Sequence, residues 1–210
     1  MMKKILKENI LLLILLIVVV ILLSIIMCSS LHDKIIVFDH KVIEFINNSV
    51  DNRLTNLFKY MTNFGDIYIP LIIIVCILFF FKNKWYFYLQ SIVYLFSGII
   101  TYLIKLIVSR PRPLEAIIDI PKSFSFPSGH TLTSFVFYGY LYYILTINLE
   151  KKYKIIFGII FGILILSIAI SRIYLGVHYF SDVIAGFILG SICLLLSINI
   201  TKKNFKEKLK

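Results

Sequence analysis

Charge is scarce in this sequence. Of its 210 residues only 16% are Asp, Glu, Lys or Arg, while 60% are hydrophobic and the mean hydropathy is +0.93. A soluble domain carries about a quarter charged residues, so a water-soluble globule is excluded, and so is a string of them. Cysteine pairs are also missing. Cys28, Cys76 and Cys193 stand singly inside apolar runs with no CxxC, and each reads as a small buried hydrophobe rather than part of a disulfide or thiolate metal site. No His, Cys or carboxylate cluster has the spacing of metal ligands, so neither a metal nor another cofactor is expected. No internal repeat or low-complexity linker divides the chain. Residues 1–210 read as one membrane-embedded domain.

What is present is a series of apolar runs. The first, Ile10 to Cys28, follows MMKKILKEN and is 19 residues long. It exceeds the roughly 7–15 residues of a signal-peptide core, and no A-x-A site follows. Met27 directly before Cys28 argues against a lipoprotein cleavage site. The run reads as an uncleaved first span. Five more follow: Ile67–Phe81, Tyr86–Val108, Leu132–Ile147, Ile155–Ile170 and Val183–Ile200. Each must be helical, because an isolated strand leaves its backbone groups unpaired in lipid. The expectation is an all-α, multi-pass bundle of six transmembrane helices with both termini on one side. Between the first two runs, residues 29–66 carry Ile35, Ile36, Val42, Ile43 and Ile46, which suggest an amphipathic helix at the membrane surface. His32 and His40 there read as solvated loop residues.

The formal net charge of +11 would suit nucleic acid, but the basic residues are scattered Lys rather than a patch with aromatics. Their placement along the runs accounts for them instead. The side holding the termini, Lys82, Lys84 and the EKKYK loop has 13 basic and three acidic residues, against nine and eight on the other. By the positive-inside rule both termini are cytoplasmic. Nucleic acid is not an expected partner, and no obligate protein partner is evident.

Three polar blocks interrupt the apolar pattern: KLIVSRPRP with Lys105 and Arg112-Pro113, PSGH from Pro127 to His130, and SRIYLGVHYFSD with Ser171-Arg172, His178 and Asp182. Alternating spans bring all three to one membrane face, which the charge count makes extracytoplasmic. Singly, each has an ordinary explanation. Lys105 and Arg112 could anchor a helix end, Pro127 and Ser128 could start a helix, and a lone His is commonly structural. Asp182 is harder to dismiss, because a carboxylate just inside an apolar run is costly unless paired. His178, four residues earlier, would share its helical face.

Together the residues suit a phosphoryl group. Lys105, Arg112 and Arg172 supply cations that match charge spread over several oxygens. Ser128 and Gly129 open a helix, where free N–H groups attract an anion. His178, held in one tautomer by Asp182, fits a nucleophile. His130 fits the acid that protonates the leaving oxygen.

K-x6-R-P, P-S-G-H and S-R-x5-H-x3-D are the signature blocks of the type-2 phosphatidic acid phosphatase superfamily, which also includes vanadium-dependent haloperoxidases. The chain resembles that family in all three blocks, over residues 105–182, with no departure in spacing. The resemblance implies a metal-independent lipid phosphatase working through a phosphohistidine. It implies His178 as nucleophile, Asp182 as its orienting partner and His130 as acid, with Lys105, Arg112, Ser128, Gly129 and Arg172 binding phosphate. The compact six-span form is similar to bacterial members acting on undecaprenyl diphosphate, phosphatidylglycerophosphate or phosphatidate. Undecaprenyl diphosphate is the leading expectation, because an outward-facing site is where carrier lipid is released. A lipid phosphotransferase remains open, as does a transporter or structural protein with an unused site. A haloperoxidase is disfavoured by the six spans.

Overall fold

The structure, a computed structural model, describes residues 2–80 and 84–207. Regular structure in these residues is helical throughout: α1 (Met2–Met27), α2 (Leu31–Asn47), α3 (Asn52–Asn63), α4 (Tyr68–Phe80), α5 (Trp85–Val108), α6 (Gly129–Thr146), α7 (Lys151–Tyr174) and α8 (Phe180–Glu207). Each of the six apolar runs falls in a helix, with α2 and α3 filling the segment after the first. The end of the second run at Phe81, and Lys82, Lys208 and Lys210, lie outside the described residues.

Four helices are long and apolar enough to cross a membrane unaided, over Lys7–Met27, Trp85–Val108, Lys151–Tyr174 and Phe180–Lys202. The chain is a multi-pass membrane protein. The other two runs are built differently. α4 has only 13 residues, and it meets α3 at a bend of 46°. α6 has 18 residues, and much of its length is buried against α5, α7 and α8. A helix enclosed by protein needs no apolar surface toward lipid, so α6 carries Thr131, Ser134, Tyr138, Tyr140 and Thr146 among its buried residues. Close approach of α8 to α6 depends on Gly186, where a Cβ would stand 3.0 Å from the Ser128 carbonyl and from Thr131 Cβ. Conversely, α1 turns Ile10, Leu11, Ile14, Ile17 and Leu22 outward, as hydrocarbon solvent favours. Of the cysteines only Cys193 is buried. Cys28 and Cys76 are exposed, because a small apolar side chain can face lipid as readily as the core.

One end of the bundle is capped by α2, α3 and the connections 109–128 and 175–179. The expected amphipathic helix is α2. Ile43 is buried and Ile35, Ile36, Val42 and Ile46 are half-buried, while Val37 and Phe45 point away from the bundle and Phe38 meets Phe180 of α8 edge-on, ring centres 5.8 Å apart. His32 and His40 lie on this helix rather than in a loop, because the apolar stripe extends helix through both. α3 begins at Asp51, whose side chain accepts from the Arg53 and Leu54 N–H groups, satisfying two of the donors that every helix start leaves open. The Tyr174 hydroxyl at the end of α7 accepts from the Asp51 N–H at 3.0 Å and ties α3 down.

The turn after α7 is set by Gly176. Its φ is +69°, and a Cβ there would come 2.4 Å from the Glu115 carbonyl oxygen. The neighbouring Ile117 N–H donates to the Leu175 carbonyl at 3.0 Å, so the 109–128 connection cannot easily retreat. Gly176→Ala is expected to destabilise the protein by about 1–3 kcal/mol, the usual penalty for a left-handed non-Gly residue. The check is thermal unfolding in detergent. An unchanged melting temperature would mean the turn relaxes freely.

Candidate active site

α5 delivers Lys105 in its last turn and stops at Ser109, which takes a left-handed φ of 49° just before Arg110-Pro111. The chain then crosses the end of the bundle and is pinned by the Ser125 N–H donating to the Arg110 carbonyl at 2.8 Å. Lys105 Nζ donates to the Ser125 carbonyl at 3.1 Å and to the Phe124 carbonyl. Arg112 donates through Nε to the Ser123 carbonyl and through Nη1 to the Val177 carbonyl, both at 2.7 Å.

His178 and Asp182 meet, but not as two residues of one helix. His178 sits in the turn before α8, which starts at Phe180. Asp182 lies in the first helical turn and accepts from the Tyr179 N–H at 3.0 Å, so the carboxylate occupies the helix N-terminus and pulls the preceding turn back over itself. That places His178 Nδ1 3.3 Å from Asp182 Oδ2. His178 Nε2 lies 3.1 Å from Arg112 Nη1. Arginine can only donate, so Nε2 is the acceptor and Nδ1 carries the proton toward Asp182. Burial pushes the His178 basicity well below the usual histidine range; Asp182 opposes the shift, while the Arg112 and Lys105 charges reinforce it. The result is a neutral imidazole with its lone pair at Nε2.

The PSGH block packs directly on this pair. The Ser128 N–H donates to the Asp182 main-chain carbonyl at 3.0 Å, and Ser128 Oγ accepts from Thr131 Oγ1 at 3.0 Å. Gly129 begins α6 against Thr101, whose methyl would lie 3.3 Å from a Cβ. His130 Nε2 is 3.0 Å from Asp66 Oδ1 in the α3–α4 connection. With Asp66 ionised, Nε2 is the protonated nitrogen. Gly65 makes this approach possible, since a Cβ would come within 2.8 Å of the His130 ring. Arg172, 4% exposed at the end of α7, donates to Thr62 Oγ1, and its Nε has no partner among the described residues.

All eight residues singled out from the sequence gather at this end: Lys105, Arg112, Ser128, Gly129, His130, Arg172, His178 and Asp182. Four others belong to the same constellation and escaped sequence reasoning. Ser125 Oγ donates to Asp182 Oδ2. Arg110 Nη1 donates to Asp182 Oδ1 at 2.5 Å, and Arg110 Nη2 to Asp39 Oδ2 at 2.7 Å. Asp66 partners His130. Only Asp39 left a readable signal, as a lone carboxylate on the inward stripe Ile35, Ile36, Val42, Ile43. Among the described residues no group of three or more His, Cys, Asp or Glu could hold a metal ion. A cavity of about 600 Å³ opens beside Arg112 and Tyr179, bounded by α2 and residues 111–115. The arrangement offers one neutral imidazole nitrogen beside a cationic, donor-rich pocket, and a second imidazole carrying a proton.

Known proteins show which family the chain resembles. The family model of the PAP2 superfamily matches residues 85–206. The chain is 35% identical over 145 residues to phosphatidylglycerophosphatase B of Bacillus subtilis, covering 68% of this chain and 69% of that protein. It is 28% identical over 171 residues to an undecaprenyl-diphosphatase of Sulfolobus acidocaldarius, covering 79% of each. The crystal structure of a transmembrane PAP2-type phosphatidylglycerolphosphate phosphatase from Bacillus subtilis superposes with a TM-score of 0.78 at 27% identity, over 96% of this chain and 97% of that one. LpxE of Aquifex aeolicus shares the fold, with a TM-score of 0.61 at 23% identity over 75% of this chain and 93% of that one. With the family model spanning more than half its length, the chain belongs to the PAP2 superfamily, as one of its membrane-embedded phosphatases.

Proposed function

We propose that this enzyme removes the terminal phosphate of a membrane lipid (di)phosphate at the outer face of the cell membrane, through a phosphohistidine on His178. The observation that carries the reading is the His178 tautomer: Nδ1–H faces Asp182 and the Nε2 lone pair faces the Arg112 guanidinium. Nε2 attacks phosphorus, the N–P bond forms and the P–O bond to the lipid breaks. His130, as an imidazolium whose Nε2–H is held by Asp66, passes its Nδ1 proton to the departing oxygen and is left neutral. Water then attacks the phosphohistidine with His130 as base, and phosphate and free His178 are regenerated. Lys105, Arg112, Arg172 and the Ser128–Gly129 helix start hold the phosphoryl oxygens, whose charge peaks as the bond breaks. The unpartnered Nε of buried Arg172 supports that role.

For topology, the apolar runs of α1, α4, α5, α6, α7 and α8 make six crossings, with α2 and α3 outside the membrane, both termini in the cytoplasm and the site outside. The excess of basic residues on the terminal side supports this. Undecaprenyl diphosphate is the substrate that an outward-facing site suits best. A second reading, phosphatidylglycerophosphate, is favoured by the likeness to phosphatidylglycerophosphatase B. Phosphate release by purified protein from a panel of lipid phosphates decides between them, and release from none would sink the proposal.

His178→Ala is expected to abolish turnover in folded, detergent-purified protein, and Asp182→Asn to impair it severely by removing tautomer and imidazolium support. Vanadate should inhibit and EDTA should not. Near-normal activity in well-folded His178→Ala would reject the nucleophile.

The acid is tested by the leaving group. A diphosphate expels a weakly basic phosphate monoester, whereas phosphatidate must release an alkoxide. His130→Ala should therefore lower kcat/KM on phosphatidate far more than on undecaprenyl diphosphate or nitrophenyl phosphate, while His178→Ala harms all three. An equal loss on good and poor leaving groups would make His130 a binding residue.

Orientation is tested with an impermeant thiol label in intact cells, with Cys28 and Cys76 first replaced by Ser. A Cys at exposed position Lys122 should react, and one at exposed position Lys152 should not. The reverse pattern would turn the site to the cytoplasm.

A further inference from the structure

Asp182 has a second oxygen that the mechanism above leaves unused. Oδ2 faces His178, whereas Oδ1 accepts from Arg110 Nη1 at 2.5 Å. The same guanidinium donates through Nη2 to Asp39 Oδ2 at 2.7 Å and through Nη1 to Ser181 Oγ at 2.8 Å. Asp39 in turn accepts from the Ser181 N–H at 2.9 Å and the Ser181 hydroxyl at 2.5 Å. The guanidinium carbon lies 4.0 Å from the centre of the Tyr179 ring. Asp39 and Asp182 are 0% exposed and Arg110 is 3% exposed. Three charged side chains from α2, the 109–128 connection and α8 thus form one buried, hydrogen-bonded chain ending at His178.

From this we infer that Arg110 and Asp39 are positioning residues of the phosphatase reaction, acting through Asp182 on His178. The inference rests on the assignment of His178 and Asp182 made above. The chain Asp39–Arg110–Asp182 holds two negative charges and one positive, and the Lys105 and Arg112 cations lie close enough to act on Asp182 as well. When Nε2 takes up the phosphoryl group with Nδ1 still protonated, the ring becomes cationic, and the network holds the Asp182 carboxylate where it faces that charge. Arg110 also orients the carboxylate: with Oδ1 fixed by a guanidinium that is itself fixed by Asp39, Oδ2 has one direction left, toward Nδ1. An ion pair serving only to fasten α2 would need none of this alignment with Asp182.

The experiment is a double-mutant cycle on kcat and KM. Asp39→Asn, Arg110→Ala, Asp182→Asn and the pairwise combinations of each of the first two with Asp182→Asn are assayed in detergent at high enzyme concentration. Both single changes should lower kcat by about 10–100-fold, the range seen when an outer partner of a catalytic group is lost, with KM changed little. In the Asp182→Asn background the same changes should cost at most about threefold, because the residue they act through has lost its charge. The same loss in both backgrounds, or a loss carried by KM, would overturn the inference and leave Arg110 and Asp39 as fold-stabilising groups. Asp39→Asn keeps side-chain shape, so the cycle stands even if Arg110→Ala cannot be purified. A near-normal kcat for folded Asp182→Asn is a separate outcome: it would reject the assignment of the nucleophile pair itself, and the inference with it.

Discussion

The buried carboxylate of Asp182 organises this end of the protein. A fully desolvated negative charge is tolerable only if nearly every lone pair finds a donor, and here four donors come from two segments. The turn before α8 supplies the Tyr179 N–H and His178 Nδ1, and the 109–128 connection supplies Arg110 Nη1 and Ser125 Oγ. Satisfying that one group fixes the turn before α8 and both ends of the 109–128 connection. Removing one partner of such a buried set typically costs 3–5 kcal/mol, because the remaining charge is left uncompensated. The main chain of Asp182 adds a further tie by accepting from the Ser128 N–H. The three sequence blocks are thus joined by hydrogen bonds to a single residue as well as sharing one end of the bundle.

This dependence explains why the polar cluster lies at the bundle end. In hydrocarbon every backbone group must be satisfied within its own helix, which leaves no room for turns such as 175–179 or 109–128. At the helix ends the connections are free to bend, and their unpaired carbonyls become useful. Lys105 and Arg112 rest on the carbonyls of Ser123, Phe124, Ser125 and Val177. These acceptors hold the cations in place without neutralising them. Among the described residues neither cation is held in an ion pair with a carboxylate. Preorganised donors of this kind pay their ordering cost during folding, not at the moment of reaction.

The same physics sets what the sequence disclosed. Helices and apolar runs were legible because lipid imposes one backbone solution, and the site blocks because phosphoryl chemistry restricts residue type and spacing. The number of independent crossings was less so. α4 has only 13 residues and meets α3 at a bend of 46°, and no hydropathy count anticipates a bend. Placing His178 on the helix of Asp182 failed for a local reason: the carboxylate caps the start of α8 and stops the helix short of His178. Arg110 was hidden by Arg112 two residues later, although the two point to opposite partners. Asp66 and Ser125 lie in irregular segments, where sequence carries no period to read.

Asp39 is the instructive omission. It occupies the same inward stripe of α2 as Ile35, Ile36, Val42 and Ile43, where a helical pattern calls for an apolar residue. A carboxylate at such a position opposes the burial that makes the helix dock, unless the surface it meets is cationic. α2 therefore could not have packed by hydrophobic burial alone; Arg110 had to be waiting beneath it. Since the other arm of Arg110 holds Asp182, seating α2 and completing the surroundings of His178 are one event. A helix whose outer face carries Val37 and Phe45 is in this way bound by charge to the carboxylate beside His178, and the order of that cluster depends on how the helix is seated.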